Sequence, residues 1–492
     1  MKDLKERTIR GGFAKVCSQG ANFLLRMGSL MILARILDPR DFGLVGMVTA
    51  VIGVLSLFRD FGLSAATIQR AAVTEDELST LFWINLLVGA ILGILSLAMA
   101  PIVVTFYHEP RLLGVTAVLA TGFLFNAAGV QHSAILQRQM RFTALSLIDT
   151  TSQLAGTAVG IGMAIRGFGY WALVVASILG PFVSMVCVWL VTAWIPRMPR
   201  KGVGIRSMMR FGGIVTLNGL LVYIATNFEK VLLGRFWGAD ALGIYGRAYQ
   251  LINLPTDNLN ATAGGVAFAA MSRLQDDPAR LKSYFLKGYA LVLALTVPIT
   301  IACALFAHDT IIVLLGPKWK DAVPIFRLLS PTILVFAIVN PLAWLLTSIG
   351  LVGRLLKMVL VITPLMIAGY VIGLPYGPKG VAFAYSAVMM LWMIPAIAWC
   401  THGTVISTRD VLLAARWPLT SSIVAAGLAF GVRVFYGESL STLPRLILEG
   451  IAMLTVYVGM LFFVTGQKSF YLDLLRGLKG TSSPKEKGLV SA

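Results

Sequence analysis

Polar and apolar positions along this chain do not alternate with the short periods of a water-soluble domain. Apolar runs follow one another, broken by brief polar turns, and most runs carry the roughly 20 residues that a helix needs to cross a bilayer. The runs predict about fourteen helical spans: 11–36, 42–63, 79–107, 111–135, 143–166, 168–194, 211–234, 243–270, 284–307, 322–349, 354–374, 378–400, 416–436 and 444–466. Lys15 and Arg26 interrupt the first. Pro298, Pro331, Pro341, Pro364 and Pro395 fall inside spans, where neighbouring helices satisfy the freed carbonyls.

One stretch is said twice. Leu33–Gly46 reads LARILDPRDFGLVG, and two hundred residues later Leu233–Gly246 reads LGRFWGADALGIYG. Arg35 falls on Arg235, Gly43 on Gly243 and Gly46 on Gly246; upstream, Arg10 and Gly12 fall on Arg210 and Gly212. In each copy an apolar run ends at Arg, a short polar turn follows, and a new apolar run starts around the glycines. A shared offset over this many positions predicts two related halves, each using this hairpin once. In membrane chains such repeats flank a transport site.

Composition agrees with the pattern. The chain is 57% hydrophobic and 13% charged, with a mean hydropathy of +0.82, far too apolar for a soluble protein. Its 48 glycines suit close helix packing in lipid. The net charge of +19 would suggest nucleic acid in a soluble chain. Here the basic residues sit in loops, where positive-inside topology and anionic lipid account for them, and no basic-aromatic groove is present. Cys17, Cys187, Cys303 and Cys400 stand singly, with neither metal-ligand spacing nor a disulfide framework. The charged N-terminus is followed by no cleavage site and reads as retained.

Lys and Arg in the loops orient the chain with both termini in the cytoplasm. The richest loop holds Arg197, Arg200, Lys201, Arg206 and Arg210 and falls where the repeat boundary belongs. The expected organisation is an N-lobe at 1–195 with spans 1–6, a basic cytoplasmic linker at 196–210, a C-lobe at 211–402 with spans 7–12, an appendix of spans 13–14 at 403–466, and a disordered tail at 467–492. Both lobes start inside, so the repeats are parallel. The loops are too short to build a soluble domain. No P-loop, Ser-centred elbow or HExxH is found, and catalytic and metal sites are expected to be absent.

Chemistry must then lie in the spans, where each charge costs at least about 2.5 kcal/mol and needs a reason. Lys15, Asp149, Arg327 and Arg433 lie within about two turns of a span end and can reach for the interface. Arg26 is deeper, about 22 Å along its helix, and must face a partner or an aqueous cavity. Arg59 and Asp60 stand near the inner end of span two, and Arg247 lies one turn into span eight. Three arginines from helices 1, 2 and 8 can line one cavity, and a guanidinium fork suits a pyrophosphate. The competing account is a helix lock, with Arg26 or Arg59 paired to Asp41 or Asp60. Span eight also carries Asn253, Asp257, Asn258 and Asn260 around Pro255, groups suited to sugar hydroxyls, a proton or a sodium ion, or to a knot of interhelical hydrogen bonds. Glu229, Asp41 and Asp60 are the candidates for gating or ion coupling. Trp83, Trp171, Trp237 and Trp319 near span ends read as an interfacial belt.

LARILDPRDFGLVGMVTAVI, LFRDFGLSAATIQR, TLFWINL, AILQRQMRF, GRFWGADALGIYGRAYQLINLP and SRLQDDPARLKSYFLK together resemble the Wzx-type oligosaccharide flippases, bacterial polysaccharide transporters, in their colanic-acid-exporter-like branch. The resemblance covers residues 5 to about 350 by motif and the rest by hydropathy. It implies an all-α polytopic membrane protein of the multidrug/oligosaccharidyl-lipid/polysaccharide exporter superfamily, with two six-helix lobes in a V and two further helices. It also implies alternating access and export of undecaprenyl-pyrophosphate-linked sugar units across the bacterial inner membrane. Lipid II flippases of that superfamily carry arginines in helices 1, 2 and 8 and an acidic residue after helix 1; Arg26, Arg59, Arg247 and Asp41 match by span, with no shared motif.

The sequence thus predicts a flippase and no enzyme, serving exopolysaccharide, capsule or O-antigen synthesis, with Arg26, Arg59 and Arg247 on the pyrophosphate and Asn253, Asp257 and Asn258 on the sugars. It needs no cofactor; its coupling ion is Na+ or H+. Its partners are the lipid-linked oligosaccharide, the bilayer and, downstream, a glycan polymerase and export machinery. An ion-coupled drug or metabolite antiporter of the same fold is the alternative, and would want cavity carboxylates and few arginines. A membrane glycan polymerase or ligase would want a sizeable outer loop.

Overall fold

The computed structural model of the chain describes residues 2–59, 67, 74–199, 206–436 and 440–464. Asp60, residues 200–205 of the basic linker and the tail lie outside these residues. Among them every regular element is a helix, as lipid requires of a chain that must satisfy its backbone internally.

The first half is α1 (Lys2–Ile36), α2 (Pro39–Ser56), α3 (Glu75–Tyr107), α4 (Leu112–Arg138), α5 (Phe142–Ile165) and α6 (Tyr170–Thr192). A single helical stretch, Arg206–Leu259, follows and is broken only at Gly238 (φ 80°, ψ −176°). We number its parts α7 (206–237) and α8 (239–259). No residue with a Cβ takes that conformation readily, so one glycine makes the turn that elsewhere needs a loop. A π-helical turn, Asn260–Gly264, carries α8 into a last short helix, Gly265–Ser272. Then come α9 (Pro278–Leu305), two short helices at Ala307–Leu314 and Ala322–Leu329, α10 (Pro331–Ser348), α11 (Val352–Gly373), α12 (Gly377–Thr401), α13 (Thr408–Tyr436) and α14 (Thr442–Gly459). These fourteen helices are the fourteen spans read from hydropathy.

Span two is shorter than expected. α2 ends at Ser56, and Leu57, Phe58 and Arg59 leave it through successive bonds to Val54 O, Leu55 O and Ser56 O, a tightening three-residue turn. Arg59 therefore stands just past the helix end.

Nine helical stretches among the described residues are long and apolar enough to cross a membrane by length and composition. α1, α5 and the 206–259 stretch do not reach that threshold. Polar side chains explain why: Ser18, Asn22, Arg26 and Ser29 on α1, and Asp149, Ser152, Gln153 and Thr157 on α5, recur every three or four residues and form one stripe per helix.

The chain folds into two compact units. The first is Met1–Gln250 with Leu314–Ile325 and Leu355–Val388; in it α3 packs on α4, α4 and α5 on α6, and α1 on α5. The second is Leu251–Val313, Phe326–Arg354 and Met389–Ala492, where α9 packs on α10 and α13, and α13 on α14.

The repeated hairpins meet inside the first unit. A Cβ built on Gly43 would collide with the carbonyl of Ala239, and one built on Gly243 would collide with the carbonyl of Pro39. The absence of a side chain lets the starts of α2 and α8 approach to backbone contact. Trp319, expected in an interfacial belt, is fully buried here: its indole N–H donates to Ala34 O at 2.8 Å, and its ring meets Phe42 edge-on at 5.4 Å. Its place near a span end suggested lipid, but the Leu314–Ile325 segment folds back onto the end of α1.

Candidate functional site

The polar stripes of α1 and α5 face one cavity of about 610 Å³ in the first unit. α1 brings Asn22 and Arg26, the turn after α2 brings Arg59, α4 brings Asn126 and Gln137, and α5 brings Asp149 and Gln153. A second cavity of about 470 Å³ shares Ser152, Gln153, Gly180 and Pro181 with the first, and Arg247 of α8 and Ser29 of α1 line it. The two adjoin along these shared residues of α5 and α6. The sequence-predicted arginines from helices 1, 2 and 8 thus converge, with Arg26 and Arg59 in one chamber and Arg247 in the next.

The arginines are held so that charge stays available. The Arg26 side chain is exposed within the chamber. Arg59 Nε is buried and has no hydrogen-bond partner among the described residues. Arg247 donates to Gln250 Oε1 and lies over the Phe42 ring, 4.4 Å from its centroid, with its own Nε unpartnered among the described residues. That stacking desolvates one face of the guanidinium and orients its fork. Asp149, expected to reach for the interface, lines the chamber instead. Among the described residues neither Arg26 nor Arg59 pairs with Asp41. Asp41 Oδ2 accepts the Asp38 backbone N–H at 3.2 Å and serves the helix start. The lock with Asp60 lies outside the described residues.

Sequence reasoning missed the amide and hydroxyl wall. Ser18 Oγ donates to Ser146 O at 3.2 Å and lies 3.1 Å from Thr150 Oγ1, and Asn22 Nδ2 donates to Ser18 Oγ at 3.4 Å. This polar seam turns α1 so that Arg26 faces the chamber. The signal was the three-and-four spacing of polar residues within two apolar runs.

Asn253, Asp257 and Asn258 belong to the second unit. Asn258 Nδ2 donates to Leu254 O at 2.7 Å and Thr256 Oγ1 to Asn253 O at 2.9 Å, so local carbonyls around Pro255 take these donors. Asp257 is exposed, and Asn260 Oδ1, at the π-helical turn, is buried without a partner among the described residues.

Glu229 of α7 is the unusual carboxylate. It is 0% exposed, and neither oxygen has a hydrogen-bond partner among the described residues. The adjacent Lys230 turns away, donating to Asn227 Oδ1 at 2.7 Å with its Nζ 5.2 Å from the Tyr249 ring. Tyr245, Tyr370 and Tyr385, all buried in the same unit, lie within electrostatic reach of Glu229.

Around the hairpin tips the polar groups are paired. Lys318 Nζ lies 2.8 Å from Asp38 Oδ1, Arg40 lies 3.1 Å from Glu109, and Arg235 lies 3.1 Å from the His108 Nδ1.

Known proteins share this pattern. A sequence model of the polysaccharide biosynthesis protein family matches residues 32–324. The lipopolysaccharide biosynthesis protein WzxC of Escherichia coli (strain K12) is 27% identical over 378 residues, covering 75% of this chain and 76% of its own. The teichuronic acid biosynthesis protein TuaB of Bacillus subtilis (strain 168) is 30% identical over 295 residues, or 57% of this chain and 59% of its own. Among solved structures, the lipid II flippase MurJ in an inward closed conformation aligns with a TM-score of 0.74 at 13% identity, covering 95% of this chain and 100% of that one. An inward-facing multidrug transporter of the MATE family aligns with a TM-score of 0.61 at 15% identity, over 80% and 96%. At such identities the structural likeness speaks for the fold.

Proposed function

This chain belongs to the polysaccharide biosynthesis protein family, and from that premise we propose that it is a flippase for undecaprenyl-pyrophosphate-linked oligosaccharides in the bacterial inner membrane. It is a multi-pass membrane protein and a transporter, with no reaction to catalyse. The observation that carries the reading is the chamber where Arg26 and Arg59 stand among amide side chains. Guanidinium forks suit the pyrophosphate, and Asn22, Asn126, Gln137 and Gln153 suit sugar hydroxyls. The polyprenyl chain stays in lipid, since the chamber offers polar walls.

Transport proceeds by alternating access between lobes made of α1–α6 and α7–α12, both with cytoplasmic starts. The Gly43–Gly243 approach ties α7 and the start of α8 to α1–α6, which supports reading the hairpin tips as the closed outer gate. Arg247 joins the binding path from α8, and Asn253, Asp257 and Asn258 further along that helix carry groups suited to sugar hydroxyls. Glu229 is the coupling carboxylate: it is wholly buried without a hydrogen-bond partner among the described residues, and an ionisable group at that depth suits exchange of a proton or Na+ as access changes. The glycan is passed on to a polymerase and export machinery. In cells lacking their own flippase, this chain should restore surface glycan, and Arg26→Ala/Arg59→Ala should not. Restoration by the double variant would overturn the site.

A further inference from the structure

The two arginines read as interface-seeking, Arg327 and Arg433, do more than sit near a span end. In the second unit both line a groove of about 610 Å³ between the end of α9, the short helix Ala322–Leu329 and α13. The rest of the groove is apolar, formed by Ile301, Leu305, Ala426 and Phe430, and on α13 the neighbouring Ile423, Leu428 and Phe430 are 50–61% exposed. A water-filled groove of this composition is costly, whereas hydrocarbon fits it.

Among the described residues Arg327 has no carboxylate partner, and Arg433 has only a share of Asp309. Arg327 Nε donates to Ala304 O at 3.2 Å, and Arg433 donates to Leu305 O at 3.3 Å. Both bonds go to the consecutive carbonyls that end α9 and leave further donors on each guanidinium. Asp309 is the nearby acid, but Arg445 grips both its oxygens, His308 adds a bond at 3.1 Å, and Arg433 stands 3.9 Å off. One buried carboxylate therefore faces two arginines before Arg327 is counted. Glu449 is buried close by, but neither of its oxygens has a hydrogen-bond partner among the described residues, so it makes no hydrogen bond to either arginine. No amide or hydroxyl side chain lines the groove among the described residues, so it lacks the means to hold a sugar.

We infer that this groove is a binding site for an anionic diacyl phospholipid such as phosphatidylglycerol, with its phosphate between Arg327 and Arg433 and an acyl chain along Leu305, Ala426 and Phe430. The site is independent of the sugar chamber and of the flippase reading. Gly427 on α13 gives a clean way to close it: a Cβ there meets nothing within 4 Å, so a large side chain fills the groove without displacing a neighbour.

The test is native mass spectrometry of the delipidated full-length protein, titrated with phosphatidylglycerol or phosphatidylethanolamine. The tightest phosphatidylglycerol adduct should form in preference to phosphatidylethanolamine. Arg327→Gln/Arg433→Gln should weaken it roughly thirtyfold, two arginines at about fivefold each, and Gly427→Phe should remove it while the thermal transition stays put. Equal binding of the two lipids would overturn the proposal. So would an adduct indifferent to Gly427→Phe, which remains informative if the arginine variant misfolds. Displacement by polyprenyl pyrophosphate at equal concentration would assign the groove to the transported lipid instead and also refute it.

Discussion

Gly243 faces Gly43 across the crossing of α8 and α2, so close that a Cβ on Gly243 would lie 3.1 Å from the Gly43 backbone nitrogen. The contact is reciprocal: Gly43 meets Ala239 and Gly243 meets Pro39, and the offset of the sequence repeat exchanges the one pair for the other. Two copies of one hairpin meet tip to tip. Gly43→Ala or Gly243→Ala should force the backbones apart, at a cost of about 1–3 kcal/mol to the closed contact. With the native cysteines removed, spin labels at Pro39→Cys and Ala239→Cys should report a short distance that lengthens in either variant. In active protein, substrate should shift the distribution. One fixed distance under every condition would refute rocking at this gate.

Arg26→Ala should abolish export while the protein still reaches the membrane, and Arg26→Lys should recover only part, because an ammonium keeps the charge and loses the fork. Full export by Arg26→Ala, scored by surface glycan against membrane abundance, would make the residue structural.

How much of this was legible in the sequence differs by residue. Hydropathy marked the fourteen helices because bilayer thickness fixes their length. The paired glycines were visible because backbone contact tolerates no other residue. Arg26 declared itself by depth alone. The turn that moves Arg59 off its helix depends on local hydrogen bonds that no period encodes. Asp149 and Trp319 were misread because distance from a span end does not say which way a helix faces. Gln153 and Asn126 gave only the weak signal of polar spacing in an apolar run.

Glu229→Gln keeps shape and removes the ionisable group. No hydrogen-bond partner among the described residues is lost, so the fold should tolerate it, with a melting temperature within about 2 °C of wild type. Transport driven by an imposed proton or sodium gradient should vanish. Gradient-driven transport at the wild-type rate in the variant would exclude Glu229 from coupling.

Asp309 predicts an acid limit. Burial alone pushes its carboxyl up, but the Arg445 and His308 hydrogen bonds and the charges of Arg445 and Arg433 outweigh it and hold it below the usual range. A depressed folded value means that stability is complete above the unfolded value, about 3.9, and is lost as pH falls through the folded one. Thermal stability in detergent should therefore hold down to about pH 4 and decline below it. Asp309→Asn should cost about 3–5 kcal/mol at neutral pH, since it removes the carboxylate that Arg445 and His308 hydrogen-bond, and should flatten that decline. A neutral-pH melting temperature equal to wild type would show that the cluster carries no stability.

The central claim is that the protein moves an intact lipid-linked glycan between leaflets, with its phosphates on Arg26 and Arg59. Purified protein in liposomes, loaded with fluorescent undecaprenyl-pyrophosphate oligosaccharide, should expose the label to a membrane-impermeant quencher beyond the half present outside at the start. Arg26→Ala/Arg59→Ala liposomes should stop at that half. Equal quenching by wild type and double variant, or none beyond the outer half with wild type, would contradict the account.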